Sequence, residues 1–191
     1  MTCAEDCRTA AISGQICRDL APFDLHPASG ADIAEARAFA ARLIGVGIVT
    51  AEALQAVHLR SGAGLFLARE DGLLTGVLAF VLLTASGLAA VCDGRFDALS
   101  PATAHVAGAG DEVCGVYGWG VAATTKPTAQ RLIEGARAMA GGAAAHLPYF
   151  ARPTTPAGER LMRERLNFVD VPGSRDGLVW APPSAPARVA A

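Results

Sequence analysis

Residues 116–133 read VYGWGVAATTKPTAQRLI, and the fold turns on how this stretch is read. Its first part, extended back to Val113, carries valines and the aromatics Tyr117 and Trp119, and predicts a strand over Val113–Val121. Thr124-Thr125-Lys126-Pro127 interrupts the pattern as a polar loop. Pro127 suits the first position of a helix, where a missing N–H costs nothing structurally. Leu132, Ile133, Ala136 and Met139 or Ala140 then recur at helical spacing until Gly141-Gly142. A strand that ends in a loop opening a helix aims free backbone N–H groups outward. The helix dipole adds partial positive charge, so a diphosphate can dock there. The plain alternative is an ordinary strand–loop–helix connection. Gly115, Gly118 and Gly120 permit a bulge or a close backbone approach, or simply packing against the helix.

Upstream, Leu65–Glu70 and Leu73–Leu83 predict a hairpin turned by Glu70-Asp71-Gly72. The second arm is nearly all apolar, as a central strand buried on both faces would be. Leu73 to Cys92 holds no charged residue, which raises the competing reading of a membrane span. Thr75, Gly76, Thr84, Ser86 and Gly87 break that run, and Thr84-Ala85-Ser86-Gly87 reads as a second turn, so strands are expected. Further back, Gln15–Leu20 reads as a short strand. Ile33, Ala36, Phe39, Ala40 and Leu43 predict a helix from Asp32, and a second helix follows Thr50, with Leu54 and Val57 inward. Asp93–Glu112 is a Gly/Ala/Asp-rich excursion with one helical turn after Pro101. Downstream, Ala145–Ala151 is a strand, Pro156–Leu166 a helix, and Phe168–Val171 and Leu178–Ala181 strands around Pro172-Gly173-Ser174.

The chain has 191 residues, which points to one domain. Its 52% hydrophobic content and mean hydropathy of +0.34 exclude disorder for the body. A formal net charge of −2 leaves no basic excess for a phosphate backbone, so a dedicated nucleic-acid binder is not expected. Lys126 is the single lysine among 16 positive residues. Cys3, Cys7, Cys17, Cys92 and Cys114 are odd in number and irregular in spacing, which argues for reduced thiols rather than a disulfide framework. The first twenty residues lack the apolar stretch of a secretory signal, so a cytoplasmic protein with no membrane contact is expected.

The resulting order, β-α-α-β-β-excursion-β-α-β-α-β-β, resembles the GNAT acyltransferase superfamily over about residues 14–181. Two stretches carry the resemblance. Val116–Ile133 resembles the family's fourth strand, pyrophosphate loop and following helix. Ala157–Phe168, AGERLMRERLNF, resembles its last helix and the leucine-glycine-phenylalanine entry to the next strand. The fold class this implies is α+β, a mixed, mostly antiparallel twisted sheet flanked by helices. Residues 1–13 would be an N-terminal extension, 14–181 the acyltransferase domain with 93–112 as an insertion loop, and 182–191 a disordered tail.

The resemblance implies transfer of an acetyl or other acyl group from acyl-CoA to an amine of a small molecule or peptide. It also leaves a homodimer open. The expected CoA-binding residues are Val121, Thr124, Lys126, Thr128, Ala129, Gln130 and Arg131. A base for the amine is expected before the fourth strand, with Glu112 as the candidate and Asp111 and His105 near it. Backbone N–H groups around Gly118–Gly120 would hold the thioester carbonyl.

Three departures from the family pattern stand out. The loop's usual Gln/Arg-x-x-Gly-x-Gly/Ala places Thr124, Pro127 and Ala129 at its three marked positions. Pro127 has no N–H to give a phosphate, a loss of roughly 1.5–3 kcal/mol that Lys126 could offset as a point charge. Arg163 falls where many members carry a proton-donating Tyr, and Asn167 replaces the usual Gly, a mild change because Asn tolerates a left-handed backbone. These departures favour the alternative of a catalytically silent binding or interaction protein on the same fold.

Overall fold

A computed structural model describes residues 9–45, 47–172, 174 and 177–184. Cys3, Cys7 and most of the expected tail lie outside the described residues, as does Gly173 of the expected turn. Among the described residues one seven-stranded sheet runs in the order β1-β2-β3-β4-β5-β7-β6. Its strands are β1 (His26–Pro27), β2 (Leu65–Glu70), β3 (Leu73–Leu83), β4 (Gly115–Ala123), β5 (Tyr149–Ala151), β6 (Val169–Asp170) and β7 (Val179–Ala181). Every pairing is antiparallel except β4 with β5. The helices are α1 (Thr9–Leu20), α2 (Asp32–Ile44), α3 (Ala51–Ser61), α4 (Ala85–Cys92), α5 (Lys126–Gly141) and α6 (Pro156–Arg160). This is the expected α+β class, with a mostly antiparallel sheet flanked by helices.

The hairpin forms as its sequence predicts. Asp71 and Gly72 both take positive φ, at 50° and 78°, the pair of left-handed residues that a two-residue turn between right-twisted strands needs. β3 is central, paired with β2 on one edge and β4 on the other. One face of the sheet is covered by α1 and α5. There Ile12, Ile16, Leu20, Leu132 and Met139 bury against Phe66, Leu78, Phe80 and Leu82. The opposite face carries α2 and α3, whose Ile33, Ala36, Phe39 and Leu54 pack on Leu65, Leu67 and Val77.

Several expectations are corrected. Gln15–Leu20 is not a strand but the second half of α1, which begins at Thr9. The buried positions Thr9, Ile12, Ser13, Ile16 and Leu20 follow a helical period that six residues were too few to reveal. Thr84-Ala85-Ser86-Gly87 does not turn into another strand. Thr84 caps α4 instead, its Oγ1 accepting the Gly87 N–H at 3.1 Å. The uncharged run is therefore one strand and a short helix, and among the described residues no helix is long and apolar enough to cross a membrane. β5 is shorter than expected, and α6 passes into a π-helical turn over Leu161–Arg165. The excursion is tied down. Val106 bridges Leu83, the Ala107 N–H donates to the Leu82 carbonyl at 2.8 Å, and Phe96 is buried against Tyr117. Its single 3₁₀ turn, Thr103–His105, falls after Pro101 as expected.

Helix α5 sits close on β3 because residue 76 is glycine. A Cβ there would stand 2.7 Å from Thr128 Cγ2 and 3.0 Å from Leu132 Cδ1. Gly76→Ala is expected to destabilise the protein by about 1–3 kcal/mol through this overlap. Urea unfolding checks it, and an unchanged midpoint would show that α5 is free to shift outward.

Candidate functional site

The site begins with a fault in β4. Ala79 of β3 pairs with Gly120 and the next residue, Phe80, pairs with Gly118, so Trp119 is an extra residue opposite nothing. Such a bulge bends its strand and re-aims the backbone. On the other edge, β4 pairs with β5 only through Val116↔Tyr149, Tyr117↔Phe150 and Gly118↔Ala151. β4 continues to Ala123, but the chain beyond Ala151 leaves the sheet through Arg152-Pro153-Thr154-Thr155 and enters α6. The two strands therefore part at Gly118.

A cavity of about 250 Å³ fills the gap. Gly118–Val121 form one wall, Ala151–Thr155 with Leu161 and Met162 the other, and Ala36, Ala40 and Ile44 of α2 lie across it. Ala98 and Leu99 of the excursion also reach it. They are held there by the Trp119 indole, whose Nε1–H donates to the Ala98 carbonyl at 2.7 Å. The lining is largely apolar. Its polar side chains include Arg37, Tyr117, Arg152, Thr154 and Thr155, and among the described residues no carboxylate or imidazole lines it. Burial pushes the Tyr117 hydroxyl above the ordinary tyrosine range, and the positive charge of Arg152 pulls it part of the way back. Arg37 turns its Nε toward the Val49 carbonyl at 3.4 Å.

Of the residues expected to bind a CoA, Val121 lines the gap. The others sit at the opening of α5, and all but Lys126 are already engaged. The Thr124 N–H donates to the Thr75 carbonyl at 3.0 Å. Thr125 caps the helix, its Oγ1 accepting the Thr128 N–H at 3.3 Å. Thr128, fully buried, passes its own hydroxyl hydrogen to Glu70 Oε1 at 3.1 Å. Arg131 donates to the same oxygen at 2.7 Å. The Ala129 N–H closes the first helical bond to the Thr125 carbonyl, and Gln130 bonds Glu134. Pro127 has no N–H. Among the described residues, the N–H groups of Thr125 and Lys126 are the two at that opening without a protein acceptor, and the Lys126 side chain is exposed. The helix N-terminus, which favours an anion, already has the Glu70 carboxylate beside it.

Glu112, the expected base, is exposed, lies three residues before β4 begins, and is not among the residues that line the gap. Asp111 is engaged with Arg60 at 3.1 Å and with the Gly108 N–H at 2.9 Å. Arg163 does not face the gap either. It pairs with Asp170 at 2.7 Å and Glu159 at 3.2 Å on the surface, and those bonds raise its pKa. The π-helical turn changes which residues point inward, and counting back from Phe168 with an α-helical period misses the shift. Asn167 is left-handed, at φ 56°, as expected. Sequence reasoning missed Arg37, Arg152, Leu161 and Met162 as lining residues. It took Tyr117 for a strand aromatic, which it is, without the cavity on its other side.

No protein-family model matches the chain, and no curated protein matches it. Among solved structures, one described as histone acetyltransferase HPA2 and related acetyltransferase from Corynebacterium glutamicum is similar in fold. The TM-score is 0.50 at 18% identity, over 85% of this chain and 97% of that one. The likeness is one of fold, the same α+β arrangement of a mostly antiparallel sheet flanked by helices.

Burial raises the pKa of both tyrosines, Tyr117 and Tyr149, the latter with help from the Asp19 charge. A folded-state pKa above the unfolded value of about 10 means that stability is complete below that pH and is lost as pH rises past it. Phenolate absorbance is expected to stay absent from the folded protein through pH 10 and to appear together with unfolding. A titration step near 10 in the intact fold would contradict the burial of one ring.

Proposed function

We propose that this GNAT-fold chain is an acyltransferase that moves an acyl group from an acyl-CoA thioester to an amine. The observation that carries the reading is the parting of β4 from β5 at Gly118, with an apolar cavity in the gap. The acyl-CoA would supply an activated carbonyl that an amine takes up as the thiol leaves. The chain's contributions follow from where its groups lie. Backbone N–H groups of Trp119–Val121 that point away from β3 have no partner strand, since the pairing with β5 ends at Gly118 and Ala151, and they can hold a carbonyl oxygen as negative charge gathers on it. Apolar walls from α2 and Leu161–Met162 keep water from the reacting carbon. Tyr117 keeps its proton at neutral pH and can give it to the departing sulfur. With no carboxylate or imidazole among the described lining residues, the acceptor would enter as the neutral amine or lose its proton to water.

The fit at the nucleotide end is partial. The α5 opening has the N–H groups of Thr125 and Lys126 and the Lys126 side chain to offer a diphosphate, and the Glu70 carboxylate opposes it. This second observation favours the alternative of a binding protein without turnover. The two readings part on CoA itself.

Thermal-shift titration with CoA and acetyl-CoA is expected to raise the melting temperature, and failure of both at millimolar ligand would remove the transferase reading. Glu70→Gln is expected to tighten CoA about three- to tenfold by removing a like charge near the phosphates. Unchanged affinity would place the diphosphate elsewhere. Tyr117→Phe is expected to lower kcat about 10²-fold with little change in KM. If binding occurs but no amine in a broad panel is acylated, the silent-protein reading holds.

A further inference from the structure

We infer that the cleft takes a medium-length aliphatic acyl chain, hexanoyl to decanoyl, lodged in a trough that crosses the sheet beneath α2. The inference rests on the acyltransferase reading and names the acyl class it would use. Leu65 of β2 stands opposite Ala79 of β3, and Ala79 opposite Gly120 of β4. Directly opposed residues project from the same face, so these three form one row across three strands. Two of the three are the smallest side chains available, and the floor of the sheet is low between Gly120 and Leu65. Above the row α2 presents the small Ala36 and Ala40, flanked by Arg37 and by Ile44, whose Cδ1 lies over Gly120. At about 4.8 Å between strands, the row runs roughly 10 Å from Gly120 to Leu65.

The trough has the chemistry of a hydrocarbon site. Leu65, Val77 and Leu54 at its inner end are core residues, 1%, 3% and 4% exposed, and all three line the cavity. Arg37, on the roof helix, is turned to the Val49 carbonyl. A water placed among Leu65, Ala79 and Ala40 side chains finds too few polar partners to hold it. An acetyl group would leave this volume unfilled, and its walls would lack partner atoms on one side. The mouth lies at Gly120, beside Ile44 Cδ1 and within the segment of β4 proposed to hold the thioester carbonyl, so a chain attached to that carbonyl enters past Ile44. An occupant attached to the amine is the competing outcome.

The test is calorimetric binding to the whole protein, using CoA thioesters and the nucleotide-free S-acetyl-, S-hexanoyl- and S-octanoyl-N-acetylcysteamines. The expected result is a Kd that falls about fourfold for each added methylene until the trough is full, and by at least tenfold from acetyl to octanoyl. Ala79→Leu is expected to flatten this dependence while melting at or above the wild-type temperature, since it fills a cavity. Should that variant melt well below wild type, Ala40→Leu makes the same test from the roof. Equal affinity for acetyl and octanoyl thioesters, or a dependence that survives a folded Ala79→Leu protein, overturns the inference. So does a chain-length dependence found with alkylamines and not with thioesters. If only the nucleotide-free thioesters bind, with the expected dependence, the CoA reading fails and the trough stands. If acetyl- and octanoyl-CoA bind equally, the trough fails and the CoA reading stands.

Discussion

A β-strand needs hydrogen-bond partners on both edges, and in this protein one strand gives up a partner half-way along its length. β4 is paired on both sides up to Gly118 and on one side from there to Ala123. A buried backbone group without a partner costs free energy, so such an edge must meet water, a side chain or a ligand. The bulge at Trp119 and the departure of the chain at Arg152 together keep the edge open. α2, the Ala98–Leu99 segment and the π-helical turn form walls around it rather than a plug. The rest of the architecture follows from holding that strand still. β3 pairs with it along its whole length, α5 is drawn close on the far face by Gly76, and Trp119 is fixed through its indole N–H.

The two ends of the site differ in character. At the parting of the strands the walls are largely apolar, and the polar groups are backbone amides and the side chains of Arg37, Tyr117, Arg152, Thr154 and Thr155. At the α5 opening the helix has satisfied most of its own donors. Thr125 caps the Thr128 N–H, the two hydroxyls bond one another, Glu70 accepts from Thr128 and Arg131, and Pro127 offers nothing. A ligand gripped mainly by its diphosphate would bind this chain poorly. One gripped by its acyl portion would bind it well, because each buried methylene contributes about 0.8 kcal/mol without any demand on the helix opening.

The fold was legible wherever period and punctuation spoke over enough residues. The hairpin turned by Asp71-Gly72, the long apolar β3, and the β4–loop–α5 unit were all marked in the sequence, and their bounds moved by only a few residues. Shorter windows misled. Gln15–Leu20 looked extended because the helical repeat of α1 starts at Thr9, and Thr84 looked like a turn residue because Thr and Ser serve caps and turns by the same hydrogen bond. The site was less legible. Its walls come from residues far apart in sequence, such as Ala40, Ala79 and Met162, and nothing local marks an alanine as lining a cavity. Arg163 was misplaced by a single π-helical turn that no residue pattern announces. Glu112 was chosen for its chemistry and its place before β4, and it is not among the residues that line the gap.

The central claim is that the β4 edge beyond Gly118 is available to a thioester. Amide NMR spectra recorded during a titration with acyl-CoA test it most directly. The account predicts that the largest shifts fall on the amides of Gly118, Trp119, Gly120 and Val121, with smaller ones on Lys126. Unmoved β4 amides in a protein that binds the ligand, or slow hydrogen exchange showing them already bonded on that edge, would contradict it.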